Sequence, residues 1–237
     1  MKAGTEPILK VEGVVKRFRG LVALDGVSFA ASPGEIVGLV GPNGSGKTTM
    51  INVIAGVYAP NSGRVLFRGQ DVAGFPAHRL ARLGINRTFQ VPKPFKEMTA
   101  LENVTVAARF GGHGASDPAA TLDAVGLGDV IDRRAETLNT QQQKLLDLAR
   151  ALATEPKLLL VDESGAGLNP DELEATATRL RKLGEAGIAL VIVEHLLEFL
   201  NRLTKRVIVL SAGRELFQGP LAEAAKQPAV IEAFLGA

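Results

Sequence analysis

Between residues 41 and 48 the chain reads Gly41-Pro42-Asn43-Gly44-Ser45-Gly46-Lys47-Thr48, which satisfies the spacing G-x-x-x-x-G-K-[ST]. Glycines at that spacing let the backbone curl until successive N–H groups face one centre, an arrangement suited to phosphate oxygens. Lys47 adds a point charge at the β/γ-phosphates, and the Thr48 hydroxyl is a ligand for Mg2+. A second pair lies further along, where the apolar run Leu158-Leu159-Leu160-Val161 ends in Asp162-Glu163. Asp162 suits the hydration shell of a divalent cation, and Glu163 suits the orientation or polarisation of an attacking water. The two motifs together point to phosphoryl chemistry on a nucleotide. The N-K-x-D sequence that reads guanine does not occur, and a nucleoside kinase stays open on these two motifs alone.

These groups need a scaffold, and the hydropathy pattern supplies one. Ile36–Val40 is a short apolar strand running into the glycine loop, with a helix expected over 48–55. Leu158–Asp162 and Ile188–Glu194 are continuous apolar runs, the pattern of strands buried on both faces of a parallel sheet. Between them 171–186 reads as a helix, with Asn169-Pro170 as cap and first-turn proline. Leu9–Phe18, Val22–Phe29 and Arg64–Phe67 read as further strands, and Val207–Leu210 with Glu215–Gln218 as a hairpin. Residues 77–83 read as a short helix, and residues 91–155 then change character, with Pro92 and Pro94 followed by helical patterns at 99–109, 118–125 and 142–153. The expectation is an α/β fold, with residues 1–90 and 156–237 as the core and 91–155 as an inserted helical subdomain.

With 237 residues the chain can bury a sizeable core as a single domain. Apolar residues make up 46% and charged residues 22%, which excludes a disordered tail or a collagen-like repeat. The absence of cysteine excludes disulfides, thiolate metal sites and a cysteine nucleophile. Net charge is +2, too small to argue for nucleic acid. Its distribution is uneven: residues 1–100 carry 13 Lys/Arg against 6 Asp/Glu, and residues 101–237 carry 14 against 19. A basic half that also holds a glycine loop suits an anionic nucleotide. The longest strongly apolar stretch, Ile188–Val193, is far short of a bilayer span, and MKAGTEPILKVEG has no apolar signal-peptide core. Work at a membrane is therefore expected from the cytoplasmic side, through a partner.

The remaining landmarks are Phe18, 23 residues before the loop; Gln90, in GINRTFQ (84–90); Gln142 and Gln143, just before the Asp-Glu strand; GLNP (167–170); and VEH (193–195). In this order and spacing the whole chain resembles ABC-transporter ATPase subunits. GINRTFQ, VEH, GLNP and the ending IEAFLG (231–236) resemble the branched-chain amino acid importer ATPases in particular. The resemblance implies a P-loop fold with a mainly parallel core sheet, an N-terminal antiparallel β subdomain and the inserted helical one. It also implies Mg-ATP bound by Phe18, stacking on adenine, and by residues 41–49 including Thr49. Thr48, Gln90 and Asp162 would hold the metal. His195 would hold the γ-phosphate toward Glu163, with Lys47 and Gln90 completing the catalytic set. His78 and His113 read as surface residues.

The family's signature loop usually reads L-S-G-G-Q, whereas here Leu138 is followed by Asn139, Thr140, Gln141 and Gln142. In the family this loop faces ATP bound on a second subunit, and a side chain at Gln141 is expected to crowd it. Ser164 replaces the proline usual after the two acids. A heterodimer with a second ATPase subunit is therefore expected over a homodimer, together with transmembrane permease subunits and, indirectly, a substrate-binding protein. Phe95, Met98 and Leu101 are candidates for an apolar docking edge. The competing functions are a soluble or regulatory ABC ATPase uncoupled from transport, and the ATPase of a lipid or lipopolysaccharide exporter.

Overall fold

The computed structural model of the protein describes residues 6–111, 116–163 and 165–235. Its elements begin with β1 (Leu9–Phe18), β2 (Leu21–Ala31) and β3 (Ile36–Val40), then α1 (Lys47–Ile54), β4 (Ser62–Phe67) and β5 (Gln70–Asp71). Next come α2 (Ala77–Leu83), β6 (Ile85–Arg87), α3 (Ala100–Gly111), α4 (Pro118–Val125) and α5 (Thr140–Leu152). The chain continues through β7 (Leu158–Asp162), α6 (Pro170–Glu185), β8 (Ala189–Val193) and α7 (Leu197–Leu203). It closes with β9 (Arg206–Ser211), β10 (Arg214–Pro220), α8 (Leu221–Ala224) and α9 (Pro228–Leu235).

β1, β2, β4 and β5 form an antiparallel sheet in the order β2-β1-β4-β5. The second sheet has the order β10-β9-β3-β8-β7-β6, parallel throughout except for β10, which folds back on β9 as a hairpin. Both faces of this sheet are covered, which explains the unbroken apolar runs. Leu159, Val161, Leu190 and Ile192 pack into the layer that contains α3, α4 and α5. Their neighbours Leu158, Leu160, Val191 and Val193 pack toward the antiparallel sheet and α1. The period of two divides the interior into two layers on one central sheet. The α/β class with an antiparallel N-terminal sheet and grouped helices matches the expectation.

Several elements differ from the pattern-based reading, β5, α8 and α9 among them, and three more bear on the site. Helix α5 starts two residues earlier than expected, at Thr140, because Asn139 and Gln142 form a reciprocal capping box. β6 is a strand of three residues, too short to show a period. Helix α7 was not foreseen; its buried Phe199, Leu200 and Leu203 give only one turn of helical spacing. Leu101 also departs from its assigned role, since it packs against the helical layer while Phe95 and Met98 stay exposed. Phe89 and Val91 are exposed beside them. The buried Asn103 side chain holds the Phe95–Thr99 loop through Phe95 N–H, at 2.8 Å, and the carbonyls of Phe95 and Thr99. His78 is exposed as expected, whereas His113 and Ser164 lie outside the described residues. Among the described residues no helix is long and apolar enough to cross a membrane.

Glycine is required at the start of the phosphate loop. Gly41 has φ +149, and a Cβ there would lie 2.1 Å from the Leu210 carbonyl oxygen. Gly44 has φ +76 with open space around it. Gly44→Ala should therefore cost only its left-handed backbone strain, about 1–2 kcal/mol. Gly41→Ala should cost at least about 3 kcal/mol, because backbone atoms must move. Thermal unfolding of the two variants against the parent measures the difference, and equal losses would refute it.

Candidate functional site

Parallel pairing gathers the chemically distinctive residues. Val37 of β3 lies opposite Val191 of β8, Asp162 of β7 opposite Val193 of β8, and Arg87 of β6 opposite Leu160 of β7. A few residues beyond each pair the chain reaches Gly41, His195, Glu163 and Gln90, so all four emerge at the carboxyl ends of adjacent strands. Ligands of open parallel sheets sit at that edge. A cavity of about 570 Å³ opens there, lined by Phe18, residues 43–49, Glu163 and His195.

Lys47 lies inside the loop it belongs to. Only 5% exposed, its Nζ donates to the carbonyl oxygens of Gly41 at 2.8 Å and Pro42 at 2.9 Å. Burial lowers its pKa, and the carboxylates of Glu163 and Asp162 oppose that shift. Gly46, with φ 106, is the N-cap of α1, and no side chain caps this helix. Its first-turn N–H groups and the positive end of its dipole are left for an anion. By contrast α4, α5 and α6 are each capped by a side chain, from Asp117, Asn139 and Asn169.

Across the cavity, Glu163 accepts two hydrogen bonds. Its Oε2 takes one from the Gln90 amide nitrogen, and its Oε1 lies 2.8 Å from His195 Nε2. Its backbone is held in the left-handed region at φ 49, with its N–H donating to the Val193 carbonyl at 2.9 Å. Such a conformation in a non-glycine residue is found where surrounding structure enforces it. Three residues proposed from sequence, Gln90, Glu163 and His195, are thus in direct contact.

Asp162 is buried beside this group, and burial pushes its carboxyl pKa up against the pull of Arg87. Arg87 Nη2 donates to Asp162 Oδ2 at 3.2 Å, its Nη1 donates to Asn52 of α1, and its guanidinium lies 4.8 Å from the Phe89 ring centre. Arg87 therefore ties β6, β7 and α1 together behind the cavity. It stands inside GINRTFQ, three residues before Gln90, and a cation entering a buried sheet was the signal that sequence reading passed over. Thr48, Gln90 and Asp162 offer oxygen donors only, a set that fits a hard cation such as Mg2+.

Phe18 lies on the other side of the cavity. Its ring meets Tyr58 edge-on at 5.1 Å and 76°, and Lys16 Nζ lies 4.9 Å from its centre. Lys16 is fixed in turn by the Ala59 carbonyl at 2.8 Å. Tyr58 and Lys16 were not identified from the sequence.

The residues at 139–142 start α5 away from this cavity. Asn139 Oδ1 accepts from Gln142 N–H at 2.8 Å, and Gln142 Oε1 accepts from Asn139 N–H at 3.1 Å. Gln142 is thereby folded back on its own helix. Gln141 is half-buried and lines a small crevice with Phe89, Lys144 and Leu168.

The geometry has counterparts among known proteins. The ABC transporter family profile matches residues 24–166. The high-affinity branched-chain amino acid transport ATP-binding protein BraF of Pseudomonas aeruginosa is 36% identical, with 98% of this chain and 99% of that protein aligned. LivG of Escherichia coli, described in the same words, is 36% identical over 98% and 99%. Among solved structures, the ADP conformation of MJ1267, an ATP-binding cassette of an ABC transporter, has a TM-score of 0.89 at 33% identity, covering 98% of this chain and 100% of its own. The dimeric post-hydrolysis state of the ATP-binding cassette MJ0796, bound to ADP and phosphate, gives 0.81 at 28% identity, covering 90% and 98%.

Lys47→Ala removes a buried cation from the loop. Mg-ATP affinity should fall by about 10- to 100-fold, the range for a hydrogen bond to a charged group. Isothermal calorimetry reads this directly, and unchanged affinity would refute the loop as the phosphate site.

Proposed function

This chain belongs to the ABC transporter family, and on that premise we propose that it binds and hydrolyses ATP to drive an importer of branched-chain or related amino acids. The observation that carries the hydrolytic part is the contact of Glu163 with both Gln90 and His195, beside a buried Lys47 and Asp162. In this reading ATP lies with adenine against Phe18 and its phosphates on residues 41–49. Water attacks the γ-phosphorus, the bond to the β,γ-bridging oxygen breaks, and Glu163 takes the proton from the water. Each Glu163 oxygen carries one of these hydrogen bonds and keeps a further lone pair, so the carboxylate can accept that proton while Gln90 and His195 hold it in place. Mg2+, held by Thr48, Asp162 and Gln90, would neutralise charge on the phosphates. Lys47 supplies a fixed positive charge for the leaving phosphate.

The names of the full-length relatives support the amino acid substrate class. The chain would sit at the cytoplasmic face of the membrane, held by permease subunits. Phe89, Val91, Phe95 and Met98 are exposed apolar residues in the segment that leads into α3, and this segment suits such docking. Residues 91–155 act in this reading as the helical subdomain that carries the docking edge and the signature loop.

Glu163→Gln keeps shape and hydrogen bonding but removes the basic carboxylate. ATP binding should persist, while hydrolysis slows at least about 100-fold. Wild-type turnover in this variant would show that another group activates the water.

The dimer partner follows from the signature loop. The dimeric relative supports a site shared between two chains, and loss of both loop glycines supports an asymmetric heterodimer in which the site facing Gln141 is weak. One observation favours a second reading: Gln141 already lies half-buried in its own crevice, which leaves the helix N-terminus of α5 to approach phosphate in a homodimer. ATPase rate against concentration of the single chain separates them. The heterodimer reading expects slow turnover that rises when Asn139→Ser, Thr140→Gly and Gln141→Gly are combined. Cooperative turnover by the single chain, unimproved by those changes, would establish the homodimer instead.

A further inference from the structure

Helix α5 touches the segments on both sides of Glu163. Lys144 and Asp147 are one helical turn apart and so share a face. Asp147, 5% exposed, accepts the Phe89 N–H at 2.7 Å, one residue before Gln90. Lys144, half-buried, donates through Nζ to the Ala166 carbonyl, three residues after Glu163. Next to that contact Glu194 is 2% exposed and accepts the Gly165 N–H at 2.7 Å. The loop that leaves Glu163 is therefore gripped at two consecutive residues, from α5 by a cation and from the end of β8 by a carboxylate.

We propose that Lys144 is a positioning residue for hydrolysis: by holding Ala166 from α5, beside the Glu194–Gly165 contact, it fixes the loop that sets Glu163 against Gln90 and His195. The inference rests on the hydrolytic reading above. Three features carry it. Glu163 sits at φ 49, so its side-chain direction depends on restraint of the segment that follows. The charge of Lys144 is felt by both Glu194 and Glu163, which oppose the lowering of its pKa by burial. Asp147 anchors the same helix face to the Gln90 side, so α5 sets the two arms of the site relative to each other. Because α5 begins at the signature residues, a shift of that helix on engaging the partner's nucleotide would reach this chain's own Glu163 through Lys144.

The test uses the full chain in complex with its partner ATPase subunit, with Lys144→Met, which keeps length and loses the cation, and Lys144→Arg, which restores it. Steady-state hydrolysis of Mg-ATP should show kcat reduced about tenfold in Lys144→Met with KM within about twofold, because misplacement of a reacting group acts on turnover rather than on binding. Lys144→Arg should recover most of the loss. Amide hydrogen exchange across residues 165–168 should rise in Lys144→Met and return in Lys144→Arg. Should Lys144→Met fail to melt as a folded protein, Lys144→Gln is judged by the same criteria. A kcat within about twofold of the parent, a loss that arginine does not rescue, or unchanged exchange would each overturn the proposal. Glu163→Gln measured in parallel separates the two levels. If it turns over normally the hydrolytic reading fails, whereas an inactive Glu163→Gln beside an active Lys144→Met removes only the positioning role.

Discussion

The site depends on the register of four parallel strands. β3, β8, β7 and β6 are paired so that residues a few positions beyond their ends meet at one edge. In a sheet buried on both faces a slip of one residue would send every side chain to the opposite layer. Leu158 and Leu160 would then exchange places with Leu159 and Val161, and side chains shaped for one close-packed layer would meet the other, a misfit that costs typically about 1–3 kcal/mol where it overpacks. The two hydrophobic layers thus pin the register, and the register pins Glu163 beside Gln90 and His195. Groups 73 and 32 residues apart in sequence come within hydrogen-bonding distance because apolar packing leaves the strands no alternative alignment.

The helix termini at the phosphate loop and at the signature residues are finished differently. The start of α1 lacks any side-chain cap and opens on the cavity, so the phosphate loop is a terminus left unfinished by the protein. The start of α5 is finished: Asn139 and Gln142 satisfy each other's backbone N–H. A glycine-rich loop would expose more backbone there. This sequence replaces exposure with a self-contained cap, which stabilises the helix and leaves fewer free donors at its tip.

Much of this organisation could be read from the residues. Ile36–Val40 and Leu158–Asp162 were bounded correctly because a glycine loop and an acidic pair end them abruptly, and α4 because Asp117, Pro118 and Gly126 mark its two ends. Lys47, Gln90, Asp162, Glu163 and His195 were proposed from local strings, and the structure brings them to one edge of the sheet. The supports behind them were not proposed. Arg87 matters because of Asp162, 75 residues away, and Glu194 because of Gly165, 29 residues away. Such pairs leave no periodic trace, since each member is locally an ordinary residue at a strand end. Tyr58 carried no local signal; the β1–β4 pairing places the turn after α1 beside Phe18. Leu101 was assigned outward because a lone leucine near a helix start does not declare its face.

The chain contains one tyrosine and no tryptophan. That tyrosine is Tyr58, edge-on against the ring expected to receive adenine and 5.6 Å from the Lys16 ammonium. The near-ultraviolet emission of the whole molecule therefore originates beside the ring proposed to receive the base, free of overlapping signals from other indole or phenol groups. A base sliding onto Phe18 alters the polarity and the charge around that single fluorophore. The protein carries its own optical reporter of occupancy, and binding can be followed on the unlabelled chain.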